Sequence, residues 1–388
     1  MNTRELKVLM ISSDRNILVS GSAVSERMKE YGALVEELHI VLLSDSSYKL
    51  KDVQLSPNVW VYPTNSSFKF SRPLDAVRIG KKVVFEKKFV RGKGVITAQD
   101  PFECGWAAMK IKRKWRLPLE IQLHTDPFSP YFSGFQNKVR KFFARTVLAK
   151  ADSVRAVSEN LKSRILNLKS NADISVLPIY VDKEKIENAP IKFDLHARYP
   201  WRFIVLTVAR LAPEKNLNLA MRALALARQK FPDIGLVVVG NGSEESHLKS
   251  LVKKLKLEGA VEFAGWQDNL TSFYKTANVF IQTSLFEGYG LSLVEAGLSG
   301  LPVVTTPVGI ALELEHGKDA YIYPLDSARD KPAELFADGI VELIESNQKR
   351  ENLKMNLKRT LESKLLSKEE YLTHLKVNWE ETAKKVKV

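Results

Sequence analysis

Short apolar runs alternate with longer amphipathic segments along most of the chain. Residues 8–11, 203–208 and 235–239 are almost continuously apolar, which is typical of strands covered on both faces of a parallel sheet. Segments such as residues 74–90 and 135–150 instead repeat their apolar positions with the period of a helix. This alternation predicts an α/β fold built from doubly wound parallel sheets.

The predicted elements fall into two groups separated by a proline-containing stretch. Periodicity is lost between Pro178 and Pro200, and 388 residues exceed what one hydrophobic core usually holds. We therefore expect a first domain over residues 1–185 and a second domain over residues 195–366. The amphipathic tail at 369–388 is expected to pack back against the first domain.

The distribution of charge indicates the kind of partner to expect, and the cysteine content indicates the cellular compartment. The net charge of +14 is concentrated in residues 1–190, which hold 32 Lys and Arg against 20 Asp and Glu; the rest holds 27 against 25. A basic half beside a near-neutral half indicates an anionic partner, for which phospholipid headgroups and nucleic acid are the candidates. The single cysteine and the absence of a bilayer-long apolar run favour a cytoplasmic location.

Residues 286–295 join a predicted strand to a short predicted helix. Gly288 and Gly290 permit a sharp turn and a close approach to a ligand. The amides at the start of the helix lack partners within it and carry partial positive charge, which makes an anion site from backbone alone. Glu287 and Glu295 would hold hydroxyl groups on either side of a bound phosphate. The alternative is an ordinary glycine loop beside two solvated glutamates.

Two cations follow the first strand of the second predicted domain. Arg210 stands at its carboxyl end, and Lys215 precedes the next helix. A planar guanidinium and a flexible ammonium group suit a diphosphate, although a surface arginine and a helix-end lysine would show the same spacing. Gly240 and Trp266 follow the next two strands, where a close turn and an aromatic ring would line a base or sugar.

Polar residues also follow the predicted strands of the first domain, where ligands of such sheets bind. Gly21 and Ser22 come after the first strand and open a helix, whereas Asp100, Glu103 and His124 follow later strands as candidate acceptor-side groups. A simple turn at Gly21 and a buried, satisfied histidine at position 124 are the alternatives.

Three predicted helices of the first domain interleave cations with large apolar residues. The cations are Lys81, Lys82, Lys87, Lys88, Arg91, Lys110, Lys112, Arg113, Lys114, Arg116, Lys138, Arg140, Lys141, Arg145 and Lys150. This mixture suits a membrane interface, where rings enter the headgroup layer and cations meet anionic lipid. A solvated helix face is the alternative, and the lack of a nucleic-acid-binding module disfavours nucleic acid.

The sequence shows no Asp-x-Asp pair and no His or Cys cluster with metal-ligand spacing. It also lacks a Walker lysine loop and a nucleophile elbow. We therefore expect neither a metal nor another cofactor.

Gly21, His124, Arg210, Lys215, Glu287 and Glu295 occur in this order, with seven residues between the two glutamates. With the stretches at 208–216 and 287–296, this pattern resembles the retaining nucleotide-sugar glycosyltransferases of family 4 (group 1), which have the GT-B fold. Ile179 and Tyr180 depart from it, because Asn-Gly is common there in the family.

The resemblance implies two Rossmann-like domains facing each other across a cleft, with the C-terminal helix crossing back to the first. It implies that Arg210 and Lys215 hold the donor diphosphate, that Glu287 holds sugar hydroxyls, and that Glu295 binds the ribose. His124 would face the donor sugar or the acceptor. The other implied nucleotide-sugar contacts are Gly21, Ser22, Gly240, Trp266, Gly288, Tyr289, Gly290 and Leu291.

The implied reaction moves a sugar from a UDP- or GDP-sugar to a lipid-linked or saccharide acceptor in cell-envelope polysaccharide or glycoconjugate synthesis. We expect it to proceed with retention and without a metal, at the inner face of the cell membrane. A nucleotide-sugar 2-epimerase and a non-catalytic nucleotide-sugar-binding subunit remain alternatives.

Overall fold

The computed structural model describes residues 5–130, 132, 134–166, 172–325 and 331–385. The chain divides into two compact units. Unit 1 comprises Met1–Pro178 together with Leu366–Val388, and unit 2 comprises Ile179–Leu365.

Unit 1 is built on one sheet of eight strands among its described residues. The strands are β1 (Lys7–Ser12), β2 (Glu37–Leu42), β3 (Val53–Ser56), β4 (Val59–Pro63), β5 (Gly94–Ala98), β6 (Leu119–Leu123), β7 (Ser153–Ala156) and β8 (Asp173–Val176). Their spatial order is β3-β4-β2-β1-β5-β6-β7-β8. Only β3 is antiparallel to its neighbour among these strands. The central strand β1 is buried at every position after Lys7, as its apolar sequence predicts.

Helices connect these strands and cover the sheet. They are α1 (Ala23–Gly32), α2 (Arg72–Glu86), α3 (Glu103–Trp115), α4 (Phe135–Leu148) and α5 (Glu159–Leu166). Helix α3 packs against both α2 and α4, so these three helices are neighbours. The sequence predicts a helix over residues 159–168. Helix α5 covers residues 159–166 of it, and the last two positions lie outside the described residues.

Unit 2 contains a second parallel sheet, with six strands in the part that the structure describes. In chain order its elements are α6 (Lys183–Asn188), α7 (Leu195–Arg198), β9 (Phe203–Val208), α8 (Leu217–Lys230), β10 (Ile234–Val239), α9 (Glu245–Lys254), β11 (Val261–Gly265), α10 (Thr271–Thr276), β12 (Val279–Gln282), α11 (Leu291–Leu298), β13 (Val303–Thr305), β14 (Tyr321–Ile322), α12 (Pro332–Glu345) and α13 (Asn347–Glu362). The spatial strand order is β11-β10-β9-β12-β13-β14.

The last helix, α14 (Lys368–Lys384), returns to unit 1. A capping box between Ser367 and Glu370 starts it, because each side chain satisfies a backbone amide of the other residue. Trp379 is completely buried, and its Nε1 donates to Oε1 of Glu120 on β6 at 3.3 Å. The hydroxyls of Tyr371 on α14 and Tyr31 on α1 lie 2.7 Å apart. The helix therefore completes the core of unit 1.

The α/β class with two parallel-sheet units is confirmed. One prediction is wrong: the stretch 178–200, which the sequence predicts as an irregular linker, contains the short helices α6 and α7. Each of these short helices begins at an aspartate cap, Asp182 or Asp194, so local capping and not periodicity forms them.

Candidate active site

The carboxyl ends of β9 and β12 lie side by side in unit 2. From β9 the chain continues to β10 on one side, whereas β12 continues to β13 on the other. The strand order therefore reverses between β9 and β12, and ligands of open α/β sheets bind at such a switch point. Two loops meet there, residues 209–216 after β9 and residues 283–290 after β12.

Lys215 and Glu287 tie the two loops together. The Nζ atom of Lys215 lies 2.6 Å from Oε1 of Glu287, and the side chains are 18% and 13% exposed. The hydroxyl of Ser284 donates to the same carboxylate oxygen at 2.7 Å. Thr283 donates to the backbone carbonyl of Lys215 at 3.0 Å. This cation and this carboxylate are thus held in fixed positions before any ligand arrives.

Arg210 belongs to the same loop as Lys215 but is 70% exposed. Its Nη2 atom lies 2.7 Å from Oε1 of Glu214. The backbone carbonyl of Glu214 in turn accepts from the amide of Leu285, at 2.8 Å. Arg210 is therefore an exposed cation at the rim of the switch point, whereas Lys215 is a largely shielded cation inside it.

The start of α11 presents backbone amides at this point. Gly290 caps the helix with φ of +92°, a conformation that glycine adopts without steric cost. Among the described residues the amides of Leu291 and Ser292 have no acceptor, and the first turn of α11 contains no acidic residue. These amides and the helix dipole favour an anion.

Glu295 lies one turn into α11 and is bound by a buried tyrosine. The hydroxyl of Tyr274 on α10 donates to Oε2 of Glu295 at 2.9 Å. Burial raises the pKa of Glu295, and the hydrogen bond from Tyr274 opposes that rise without cancelling it. Burial likewise raises the pKa of Tyr289, to about 12, so that this phenol stays protonated at neutral pH.

Gly240 and Trp266 follow β10 and β11. Gly240 has φ of +129°, and a Cβ atom placed on it would lie 2.0 Å from the carbonyl oxygen of Ala209. Only glycine therefore lets the ends of β9 and β10 approach this closely. Trp266 follows the edge strand β11 and is 67% exposed, with its Nε1 donating to Asp268 at 3.1 Å. Its ring is thus two strands away from β9.

The candidates in unit 1 occupy the carboxyl ends of β1 and β6. Gly21 is exposed in the turn before α1. Ser22 caps α1, because its hydroxyl accepts from the amide of Ser25 at 3.0 Å and donates to the carbonyl of Asn16 at 2.6 Å. His124 is exposed just after β6, with Nε2 3.2 Å from Oε1 of Gln122. The imidazole therefore reaches solvent, although desolvation by the surrounding protein lowers the pKa of His124 to about 3 and keeps the ring neutral.

Asp100 and Glu103 have structural partners of their own. Asp100 accepts from the amides of Phe102 and Cys104, at 2.7 and 3.3 Å, where α3 begins. Glu103 pairs with Arg140 of α4 at 3.1 Å. Both carboxylates therefore help to join α3 to its surroundings.

Several polar residues at the switch point carry no sequence motif. Ser284 supports Glu287, Tyr274 supports Glu295, and the hydroxyl of Thr306 donates to the carbonyl of Ser284 at 2.7 Å. Gln282 is 5% exposed at the end of β12, and a Cβ atom on Gly290 would lie 3.9 Å from its side-chain amide. Tyr274 and Thr306 lie 21 and 22 positions from their partners, and Ser284, although only three positions from Glu287, stands in no pattern that marks it as a partner.

In residues 5–385, apart from the gaps noted above, no cluster of three or more His, Cys, Asp or Glu side chains has the arrangement of a metal site. Over the same residues, no helix combines the length and the apolar character needed to cross a bilayer.

Family models match both units. The model described as Glycosyltransferase Family 4 matches residues 23–185. The model described as Glycosyl transferases group 1 matches residues 188–360. The site described above in unit 2 lies entirely within the second match.

Among curated proteins, the GtfA subunit of a UDP-N-acetylglucosamine–peptide N-acetylglucosaminyltransferase of Streptococcus pneumoniae is 29% identical over 150 residues. This alignment covers 38% of the chain and 30% of that protein. The alpha-monoglucosyldiacylglycerol synthase of Streptococcus pneumoniae is 25% identical over 224 residues, or 54% of the chain and 51% of the relative. The chain thus matches about half of these relatives or less.

Among solved structures, HepE from Anabaena in complex with UDP and glucose superposes with a TM-score of 0.73 at 20% identity, covering 97% of this chain and 99% of that one. At this identity the likeness shows the fold. Together, the two family matches and the shared GT-B fold show that the chain belongs to the family 4 (group 1) glycosyltransferases.

Proposed function

We propose that the chain is a retaining, metal-independent glycosyltransferase that moves a sugar from a UDP-sugar, or a GDP-sugar, to a lipid-linked or saccharide acceptor in cell-envelope synthesis. The observation that carries the proposal is the Lys215–Glu287 contact of 2.6 Å beside the open amides of Leu291 and Ser292. It brings a fixed cation, a sugar-binding carboxylate and an anion-binding helix start to one point. UDP is favoured because two relatives, GtfA and HepE, are described with UDP-linked or UDP ligands.

The chemistry follows from where negative charge develops. As the bond from sugar to diphosphate breaks, charge builds on the leaving phosphate, and Lys215, Arg210 and the α11 amides stabilise it. Glu287 then holds donor-sugar hydroxyls and Glu295 holds the ribose. Since these donors are already in place, little reorganisation accompanies the reaction. The departing phosphate accepts the acceptor's proton, and the acceptor oxygen bonds to the anomeric carbon on the face that the diphosphate leaves, so the configuration there is retained.

Unit 1 is the proposed acceptor and membrane side. Gly21, Ser22 and His124 are assigned to it, with His124 the exposed side chain at the end of β6. The basic helices α2 and α4 carry highly exposed rings, including Phe85 at 70% and Phe142 at 66%, and α3, which packs against both, adds further cations. Rings and cations on neighbouring helices suit a peripheral contact with the anionic inner face of a cell membrane. The diacylglycerol named for one relative is also a lipid acceptor.

A donor screen tests the reaction. UDP-glucose, UDP-N-acetylglucosamine and GDP-mannose are each supplied with and without a bacterial lipid extract, and released nucleoside diphosphate is measured. We expect release that depends on the extract and on one donor. Conversion of the donor to its 2-epimer, without an acceptor and without net release of nucleoside diphosphate, would favour the epimerase. Binding with neither release nor conversion would favour the non-catalytic subunit.

Vesicle flotation tests the membrane contact separately. We expect binding to vesicles that contain phosphatidylglycerol, weaker binding at high salt because counterions screen the cations, and little binding to pure phosphatidylcholine. Equal binding to both vesicle types would contradict the electrostatic contact.

A further inference from the structure

Two adjoining hollows on unit 1 share the side chains of Leu74 and Trp106. One is a groove of about 550 Å³ between α2 and α3. The other is a cavity of about 860 Å³ between α2, α3 and α4, at the loops that follow β1, β2 and β5. We propose that they form one site for a single anionic lipid, with its phosphate in the groove and its hydrocarbon chain in the cavity.

The groove has the chemistry of a phosphate site. Four cations line it, Lys81, Lys110, Arg113 and Lys114, and no carboxylate lines it. Neighbouring cations that lie outside the groove are neutralised, since Lys82 pairs with Glu86 and Lys112 pairs with Asp152. Within the described residues, none of the four groove cations forms an ion pair with a carboxylate. Concentrated, uncompensated positive charge attracts a phosphate group.

Most of the residues that line the cavity are apolar, including Phe70, Phe135, Val139 and Phe143. Charged residues line it as well, but Arg72 pairs with Asp45 and Arg140 pairs with Glu103. Phe70 and Phe135 are 80% and 83% exposed, so large rings stand in water beside an opening. Exposed apolar surface of this kind usually marks a binding site, and the volume of about 860 Å³ falls in the range of small-molecule pockets.

The shared wall makes the two hollows one site. Leu74 on α2 and Trp106 on α3 form the boundary, and Nζ of Lys110 lies 5.2 Å from the centroid of the Trp106 ring. A ligand that occupies both hollows needs an anionic end for the groove and an apolar end for the cavity. An anionic lipid has both ends, whereas free phosphate has only the first. The inference rests on the proposed membrane contact and deepens it, because it adds one specifically bound lipid to a general surface attraction.

Three soluble probes separate the two parts of the site. Farnesyl phosphate carries the anionic end and a long chain, dimethylallyl phosphate carries the same end with a short chain, and farnesol carries the chain without the charge. Below micelle-forming concentrations, we expect calorimetry to show that farnesyl phosphate binds at least tenfold more tightly than either partial probe. Equal affinity for farnesyl phosphate and dimethylallyl phosphate would overturn the proposal, as would equal affinity for farnesyl phosphate and farnesol.

Matched variants locate the site. We expect Lys110→Ala with Arg113→Ala, and separately Val139→Trp, to weaken farnesyl phosphate binding at least tenfold. The controls are Lys51→Ala with Lys93→Ala, which removes equal charge elsewhere on unit 1, and Val53→Trp, which adds the same ring at an exposed valine on β3; both should bind as the unaltered protein does. Hydrogen exchange at the amides of β6 and UDP binding should be unchanged in all four, which shows that unit 1 and unit 2, respectively, still fold. If the groove and cavity variants bind farnesyl phosphate as tightly as the unaltered protein does, the assignment is wrong. If the unaltered protein does not bind UDP, the proposed function is wrong instead.

Discussion

The ammonium group of Lys215 contacts the carboxylate of Glu287 at 2.6 Å, although 72 positions separate the two residues in the chain. The contact joins the loop after β9 to the loop after β12. Both side chains are largely shielded from water, so their attraction is weakly screened. Because each partner also has a proposed role toward the donor, the pair links the stability of the site to its chemistry.

Lys215→Ala is expected to lower sugar transfer by roughly 100- to 1,000-fold, since it removes a fixed stabiliser of the leaving phosphate. It also leaves the shielded carboxylate of Glu287 without its cation, which costs about 1–3 kcal/mol of unfolding free energy. Steady-state release of nucleoside diphosphate and urea unfolding measure the two effects.

Lys249→Ala is the matched control, because Lys249 and Glu245 form a pair of the same length, 2.6 Å, on the exposed surface of α9. Such a pair contributes about 0.5 kcal/mol or less. Equal losses of turnover in the two variants would contradict the role of Lys215.

Tyr274→Phe is expected to move the acid limb of UDP binding to higher pH. Burial has already raised the pKa of Glu295, and the hydroxyl of Tyr274 lowers it; without that donor the pKa rises further. Since the proposed ribose contact needs the ionised carboxylate, affinity falls as the pH drops through the pKa. Glu295→Gln should abolish the limb, and Tyr199→Phe, on a distant tyrosine, should leave it in place. Calorimetric titrations over a pH series measure it.

Ionisation of Glu295 has the opposite effect on folding stability: it favours UDP binding but lowers the free energy of unfolding. A carboxyl group whose pKa is higher in the folded state contributes stability below its unfolded pKa and loses it as the pH rises through the folded pKa. We therefore expect Glu295→Gln to raise unfolding free energy relative to the unaltered protein at neutral pH, and to change it less at acid pH. A variant that is less stable at neutral pH would contradict this burial effect.

Trp379→Ala is expected to cost about 3–5 kcal/mol, because it empties a fully buried site and removes the hydrogen bond to Glu120. Trp379→Phe keeps most of the volume and should cost about 1–3 kcal/mol, since the buried carboxylate loses a donor. Hydrogen exchange at the amides of β6 reports on unit 1 alone. Trp266→Ala, at the exposed tryptophan, should change stability by about 0.5 kcal/mol or less.

Gly240→Ala is expected to destabilise unit 2 more than Gly259→Ala does. Both glycines have positive φ, but only Gly240 would place a Cβ atom against backbone, 2.0 Å from the oxygen of Ala209, whereas Gly259 has open space. The strained conformation alone costs about 1–2 kcal/mol, which is the expected loss at Gly259. Thermal unfolding of both variants tests the difference, and equal losses would show that the loop relaxes.

The central elements were predictable from sequence because their physical requirements are local. Strands β9 and β10 lie where continuous apolar runs predicted them, since both faces are covered. Strand β3 was not predicted, because its four residues are exposed or half-buried at the sheet edge. Strand β14 has two residues, too few for any period to be visible.

The candidate site, like the fold, was only partly predictable from the sequence. The cations and carboxylates of unit 2 could be proposed from their positions after strands, since the carboxyl ends of parallel strands share one sheet edge. Which of them touch could not, because Lys215 meets Glu287 and Tyr274 meets Glu295 only after the sheet has formed. The sequence also could not show that Ser22 caps α1, since a serine before a helix can either cap it or face a ligand.

The return of α14 to unit 1 sets an order of events during synthesis. A ribosome releases the strands of unit 1 first, then all of unit 2, and only then the segment that carries Tyr371 and Trp379. The nascent first unit must therefore wait with Glu120 and Tyr31 uncovered, while the second unit already has every residue of its own fold. A chain stopped before residue 366 would thus leave the earlier-made unit unfinished and the later-made unit complete.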